Sequence, residues 1–134
     1  MIRFVAGLLL IWALSANAEE HCFDVEEVIK VVDGDTLDVR LRINPFSLLT
    51  ELRIRLLGID AYESRTRDLA IKVLGLAAKS RLTDLLIDGP VKVCLAKKGK
   101  FGRWLGIVYA GDINVNDQLL IEGHAKPYGG GNRG

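Results

Sequence analysis

Three short stretches of the chain hold side chains whose types and spacing suit the chemistry of phosphate esters. Asp33-Gly34-Asp35-Thr36 sets two carboxylates about a glycine. In Arg55-Leu56-Leu57-Gly58-Ile59-Asp60-Ala61-Tyr62-Glu63, one guanidinium is followed by two more carboxylates. Lys97-Lys98-Gly99-Lys100-Phe101-Gly102-Arg103 gathers cations around a single aromatic ring. Each stretch also has a plainer reading. Asp-Gly is a common turn dipeptide, acids often carry strand ends into loops, and most basic runs are solvated hairpin loops. An arginine on the core-facing side of a strand is less ordinary, because arginine is seldom buried without a partner. Taken together, the three stretches supply what phosphodiester hydrolysis needs. Its five-coordinate transition state gains from a cation and from guanidinium groups that hold phosphate oxygens two at a time. A hard cation takes oxygen donors, and the attacking water needs a carboxylate to orient or deprotonate it. Phe101 offers a face on which a base can stack beside phosphate-contacting cations such as Lys100.

The elements that must position these groups follow from hydrophobic periodicity. Residues 25–32 are β-branched and run into the Asp33–Thr36 turn cluster. Residues 37–43 and 51–56 alternate apolar and polar with period two, as half-buried strands do. Asn44 and Pro45 break the first of these, so the two strands form a hairpin with a long, apolar connection over 44–50. From Asp68 the spacing becomes helical, with Leu69, Val73, Leu76, Ala77, Leu82, Leu85 and Leu86 at intervals of three and four. Gly75 is a point where that helix can divide, leaving 76–87 as its main part, and Gly89-Pro90 ends it. Strands follow at 91–95 and 104–109, on either side of the basic loop. Asn114 suits the N-cap of a short helix running to Glu122, with Asp117 in the capping box and Gly123 just past its end. Three strands, a helix, two strands and a helix predict an α+β fold. Its expected form is a five-stranded OB-type Greek-key β-barrel, with one main helix between strands 3 and 4 and a short helix after strand 5.

At 134 residues the chain has room for one domain. Arg3, the apolar run from Phe4 to Leu14 and Ala16-Asn17-Ala18 have the order of a cleavable signal peptide over 1–18. The run is too short for a membrane anchor, which needs ~20 apolar residues. The expected divisions are therefore a signal peptide at 1–18, the barrel domain at 19–128 and a disordered glycine-rich tail at 129–134. Residues 1–18 hold one basic residue and no acid, so the remainder balances 17 basic against 17 acidic side chains. That balance excludes binding of a polyanion by overall field, and any such binding must come from local clustering. Cys22 and Cys94 are an isolated pair, readable as a disulfide in an oxidising compartment or as two free thiols. His21 and His124 lack metal-ligand spacing to another histidine or cysteine.

The three clusters, in this order and spacing, resemble the staphylococcal nuclease (thermonuclease) family. Val32 to Leu37 is similar to its Asp-Gly-Asp-Thr turn, and Arg55 to Asp60 with Glu63 is similar to its Arg-Leu-x-x-[Val/Ile]-Asp-Thr-Pro-Glu segment. Phe101-Gly102-Arg103 stands where the family has Tyr-Gly-Arg, and Val115-Asn116 with Glu122-Gly123-His124-Ala125 also fits. The resemblance covers about 28–128. It implies Ca2+ held by Asp35, Asp60 and the main-chain carbonyl of Ala61, with Asp33 in the outer shell. Glu63 would orient or deprotonate water, while Arg55 and Arg103 would clamp the scissile phosphate. Apart from the resemblance, the residues themselves make Lys100, Phe101 and Tyr128, beside Pro127, candidate substrate contacts, the rings by stacking on a base. The implied activity is calcium-dependent endonucleolytic hydrolysis of DNA and RNA with little sequence preference, leaving 3′-phosphate ends. Single-stranded or frayed nucleic acid is the expected substrate, cut by a secreted or periplasmic monomer that has no membrane association after signal cleavage. The alternative is a non-catalytic barrel that binds nucleic acid or protein, although such domains usually lose the acids and arginines retained here. The resemblance also implies pairing of the first and fourth strands, which would let Cys22 and Cys94 face one another. The chain departs from the family at Ala61-Tyr62 for Thr-Pro, Phe101 for Tyr and Gly99 for Asp.

Overall fold

A computed structural model describes residues 21–129. The signal peptide read at 1–18 and nearly all of the tail read at 129–134 lie outside the described residues. Among the described residues no helix is long and apolar enough to cross a membrane.

Five long strands make the barrel: β1 (Cys22–Asp33), β2 (Thr36–Ile43), β3 (Leu48–Leu56), β5 (Val91–Lys98) and β6 (Arg103–Ala110). Their order is β3-β2-β1-β5-β6, and β3 also pairs with β6, closing the sheet on itself. That last pairing is parallel, with Arg53 opposite Arg103 and Arg55 opposite Leu105. The β3–β6 pairing covers what would otherwise be the outer edges of β3 and β6. Period-two alternation sends Leu37, Val39 and Leu41 of β2 into a core shared with Ile54, Leu56, Val93 and Val108, all at most 1% exposed. The outward positions form a charged lattice across β1, β2 and β3. Arg40 pairs with Glu27 and Glu51, Arg42 with Glu26, and Arg53 with Asp38.

Helix α1 (Leu69–Leu85) links β4 (Ile59–Ala61) to β5. Asp68 caps it, accepting from Ala70 N at 3.1 Å and Ile71 N at 3.3 Å. Two expectations for this helix need correction. It runs unbroken through Gly75, and its buried face comprises Gly75, Ala78, Leu82 and Leu85, whereas Leu69, Val73 and Leu76 are exposed. The cause is close approach. A Cβ at Gly75 would lie 2.3 Å from Glu63 O, and one at Gly34 would lie 2.5 Å from the Ala78 Cβ. The first half of the helix lies so near the Glu63–Ser64 backbone that only small residues fit, and the leucines turn outward. The core lies beneath the second half alone.

Three short elements complete the fold. β7 (Ile113–Asn114) leads into α2 (Val115–Ile121), where Asn114 Oδ1 accepts from Asp117 N at 3.0 Å. β8 (Ala125–Pro127) pairs with β4 in a two-stranded ribbon, and Tyr128 N donates to Gly58 O at 2.9 Å. The sequence reading contained no β8, because a three-residue strand ending in proline shows no alternation. β3 also begins three residues earlier than expected, leaving only 44–47 as the hairpin loop. Cys22 and Cys94 stand directly opposite in the β1–β5 ladder and are joined by a disulfide.

Candidate functional site

The end of β1, the start of β2, the end of β3 and the start of β6 meet on one side of the barrel. Leu56 N donates to Asp35 O at 2.8 Å, which fixes the β1–β2 turn against the end of β3. Thr36 lies opposite Arg55 in the β2–β3 register. This places two groups of opposite charge side by side, each nearly withdrawn from solvent: Asp35 is 3% exposed and Arg55 is 4% exposed.

Asp35 is held from several directions. Oδ1 accepts from Thr36 Oγ1 at 2.9 Å, and Oδ2 accepts from Ala61 N at 2.9 Å. Arg55 Nη1 is 3.3 Å from Oδ2 and donates to Ile59 O at 3.2 Å. Arg55 Nη2 lies 3.5 Å from Asp60 Oδ1 and makes no hydrogen bond among the described residues. One guanidinium thus bridges two carboxylates and keeps donor capacity in reserve, with its carbon 5.3 Å from the centre of the Tyr128 ring.

Glu63 is exposed on the loop after β4, yet its backbone is tightly placed. Asp33 Oδ1 accepts from Ser64 N at 3.3 Å and also from the Ser64 hydroxyl. From the other side, Gly75 of α1 presses on the Glu63–Ser64 peptide, with no room for a Cβ. Arg65 Nη2 stands 3.9 Å from Asp33 Oδ2. The carboxylate expected in a metal's outer shell is therefore engaged as a latch for the Glu63 loop.

Arg103 opens β6, half-buried, with its guanidinium carbon 5.7 Å from the centre of the Phe101 ring. Phe101 itself is 89% exposed, and its φ of 59° tips the ring off the loop into solvent. Buried Asn116 on α2 ties the supporting elements together. Its side chain accepts from Val108 N at 3.1 Å and donates to Leu57 O at 2.9 Å and Gly106 O at 3.2 Å. A single buried amide thereby locks β6 to the β3–β4 turn.

A cavity of about 960 Å³ receives most of these groups. Asp33, Asp35, Glu63, Arg55, Arg103, Lys100, Phe101 and Tyr128 all line it. Asp60 and Ala61 do not. They line a smaller cleft of about 280 Å³ next to it, and Glu63 lines both. Asp60 meets the larger site through Arg55. Sequence reasoning passed over Arg65 and Ser64, and it named Asn116 only within the family resemblance, with no role. Arg65 carried a weak signal as a cation two residues beyond Glu63, Ser64 carried none because its partner Asp33 is distant in the chain, and the role of Asn116 depends on distant backbone groups.

The donor set bears on which ion could be held. Among the described residues no three histidine, cysteine, aspartate or glutamate side chains meet closely enough to cage a metal unaided. Asp35 and Asp60, brought to one guanidinium, offer two carboxylates, and a shared ion would complete its shell with carbonyl, water or phosphate oxygens. Such an all-oxygen set fits a hard cation and does not suit a thiolate- or imidazole-seeking one.

Comparison with known proteins agrees with this geometry. The sequence profile described as "Staphylococcal nuclease homologue" matches residues 53–132. The chain is 37% identical over 111 residues to the micrococcal nuclease of Shigella flexneri, covering 76% of this chain and 57% of that protein. It is 30% identical over 127 residues to an uncharacterized endonuclease of Haemophilus influenzae, covering 95% and 64% respectively. Protein ParB of Escherichia coli is 30% identical over 138 residues, with 96% and 69% covered. The chain thus spans 57% and 64% of the first two of these relatives.

Proposed function

The chain belongs to the staphylococcal nuclease family, and on that premise we propose that it is a calcium-dependent nuclease. It hydrolyses phosphodiester bonds of DNA and RNA with little sequence preference and leaves 3′-phosphate ends. One observation carries the reading: the acids Asp33, Asp35 and Glu63 line a single cavity with Arg55 and Arg103, beneath a rim of lysines.

In this reading Arg55 and Arg103 grip the non-bridging oxygens of the scissile phosphate from two sides. Their charge counts most when the phosphorane adds negative charge to those oxygens. Glu63 holds the attacking water and accepts its proton as the water oxygen bonds to phosphorus. The bond from phosphorus to the 5′ oxygen breaks and that oxygen takes a proton from solvent, giving a 3′-phosphate and a 5′-hydroxyl. Asp35, Asp60 and the Ala61 carbonyl would hold the calcium ion. When bound, that ion offsets charge on the phosphate and on the paired carboxylates. Asp33 acts from outside this set by latching Ser64. Lys100, Phe101 and Tyr128 hold the flanking nucleotide, the rings by stacking and the lysine by charge. Access to an open cavity favours single-stranded or frayed substrate.

The same reading makes 1–18 a signal peptide, 19–128 the working domain and the site of action the periplasm or the exterior, where the monomer acts. The Cys22–Cys94 disulfide supports an oxidising destination. The deciding test is release of acid-soluble nucleotides from DNA and RNA by the mature protein, with calcium and with a chelator. Calcium-dependent release that the chelator abolishes is expected. Binding of nucleic acid without hydrolysis at any calcium concentration would favour a purely binding barrel.

A further inference from the structure

A polymer cut at Glu63 must continue past it on both sides, and the basic groups from Lys97 to Arg103 line only the larger cavity. The smaller cleft is a second cavity that Glu63 also lines. Backbone geometry explains what fills its walls. Residues two apart on an extended strand share a face, so Tyr62, just beyond β4, follows Asp60 towards the same side. Lys126 of β8 stands directly opposite Asp60 in the β4–β8 ribbon, which brings its side chain to that face as well. Ile71 and Thr66 close the cleft from the helix side. Tyr62 is 43% exposed, Ile71 is 36% exposed and Lys126 is exposed, so a flat aromatic face, an apolar wall and a cation are all presented to solvent. The larger cavity presents the same three kinds of group in Phe101, Leu105 and Lys100.

We propose that this second cleft is a nucleotide subsite, in which Tyr62 stacks a base against Ile71 and Lys126 contacts the adjoining backbone phosphate. The subsite rests on the nuclease reading and adds where the strand runs once it has passed the scissile bond. Stacking on one aromatic face with one phosphate contact is tolerant of sequence, because every base has a π-face. A tyrosine at this position also gives the chain a substrate contact that the family's proline lacks.

The test compares two substrates: a one-nucleotide nitrophenyl phosphodiester and a single-stranded ten-mer. Tyr62→Ala should lower kcat/KM on the ten-mer by about tenfold, a typical loss for one stacked base. Its effect on the short ester should be at least fivefold smaller. Lys126→Ala should flatten the fall of log affinity with log salt by about 0.7, the value for one phosphate on a single strand. Equal losses on both substrates, or no loss on the ten-mer, would overturn the subsite. Parent protein inert towards both substrates would strike the nuclease reading instead. Anisotropy of a labelled ten-mer against parent and Tyr62→Ala then decides the cleft alone, with weaker binding by the variant supporting it and equal binding removing it.

Discussion

Arg55 is enclosed by Asp35, Asp60 and the Tyr128 ring, whereas Arg103 stands half-exposed beside Phe101, and this difference governs how each responds to removal. Replacing Arg55 by alanine strands carboxylates in a buried setting. Breaking a buried ion pair from one side typically costs about 3–5 kcal/mol, so Arg55→Ala should melt well below the parent protein as well as lose turnover. Arg103→Ala removes a guanidinium that is itself only half-buried. It should keep its melting temperature within a few degrees while kcat falls by about 10²–10³, the usual loss for one group aimed at developing charge. Calorimetry alongside single-turnover kinetics separates the two cases. Parent-like turnover in Arg103→Ala would remove it from the clamp. Glu63→Gln should likewise retain the fold, since the Glu63 carboxylate reaches into solvent and its loop is held through Ser64 and Gly75.

The elements differ in how openly the sequence declared them. β2 and β3 were legible because one face meets the core and the other meets water, so their alternation is strict. The α2 cap was legible for a local reason, with Asn114 and Asp117 one helical turn apart. The contact face of α1 was not legible, since it depends on Gly34 and Gly75 being small where a distant loop crosses. Asp33, Asp35 and Asp60 could be named from spacing, but the division of Asp60 from the main cavity could not. It follows from β8, a strand without a pattern. Gly75→Ala tests the helix contact directly. The added methyl must push Glu63 and Ser64 aside, so kcat should fall by tenfold or more with little change in KM, and stability should drop by about 1–3 kcal/mol, as overpacking usually does. A second test lies where α1 meets α2. There Arg81 hydrogen-bonds Glu122, joined by Gln118, and holds its carboxyl down at about 2, well under the ordinary 4.5. Arginine partners similarly lower Asp38 and Glu26. A carboxyl depressed in the folded state stabilises it above the unfolded value and loses that effect as pH falls through the folded value. Stability should therefore decline between about pH 4.5 and pH 2, and Glu122→Gln should decline less steeply over that window in urea titrations.

For the whole molecule, two long-range links decide whether the barrel stays shut. The disulfide spans 72 residues of sequence and sits in a β1–β5 ladder of only three residue pairs. In the chain-entropy account, a loop of that length contributes about 4 kcal/mol by restricting the unfolded chain. Reduction should accordingly lower the denaturant midpoint substantially, and Cys22→Ser with Cys94→Ser should reproduce the shift without reductant. An unchanged midpoint would show that the short ladder holds by itself. The other link is the parallel β3–β6 seam, which sets Arg55 across from Leu105 and Arg53 across from Arg103. The two proposed phosphate-gripping residues lie 48 positions apart in the chain and come together only when this seam forms. A polypeptide still emerging during synthesis, with β6 not yet made, holds one jaw of the vise and lacks the other. On the nuclease reading, cutting power is thus withheld until the final long strand is in place.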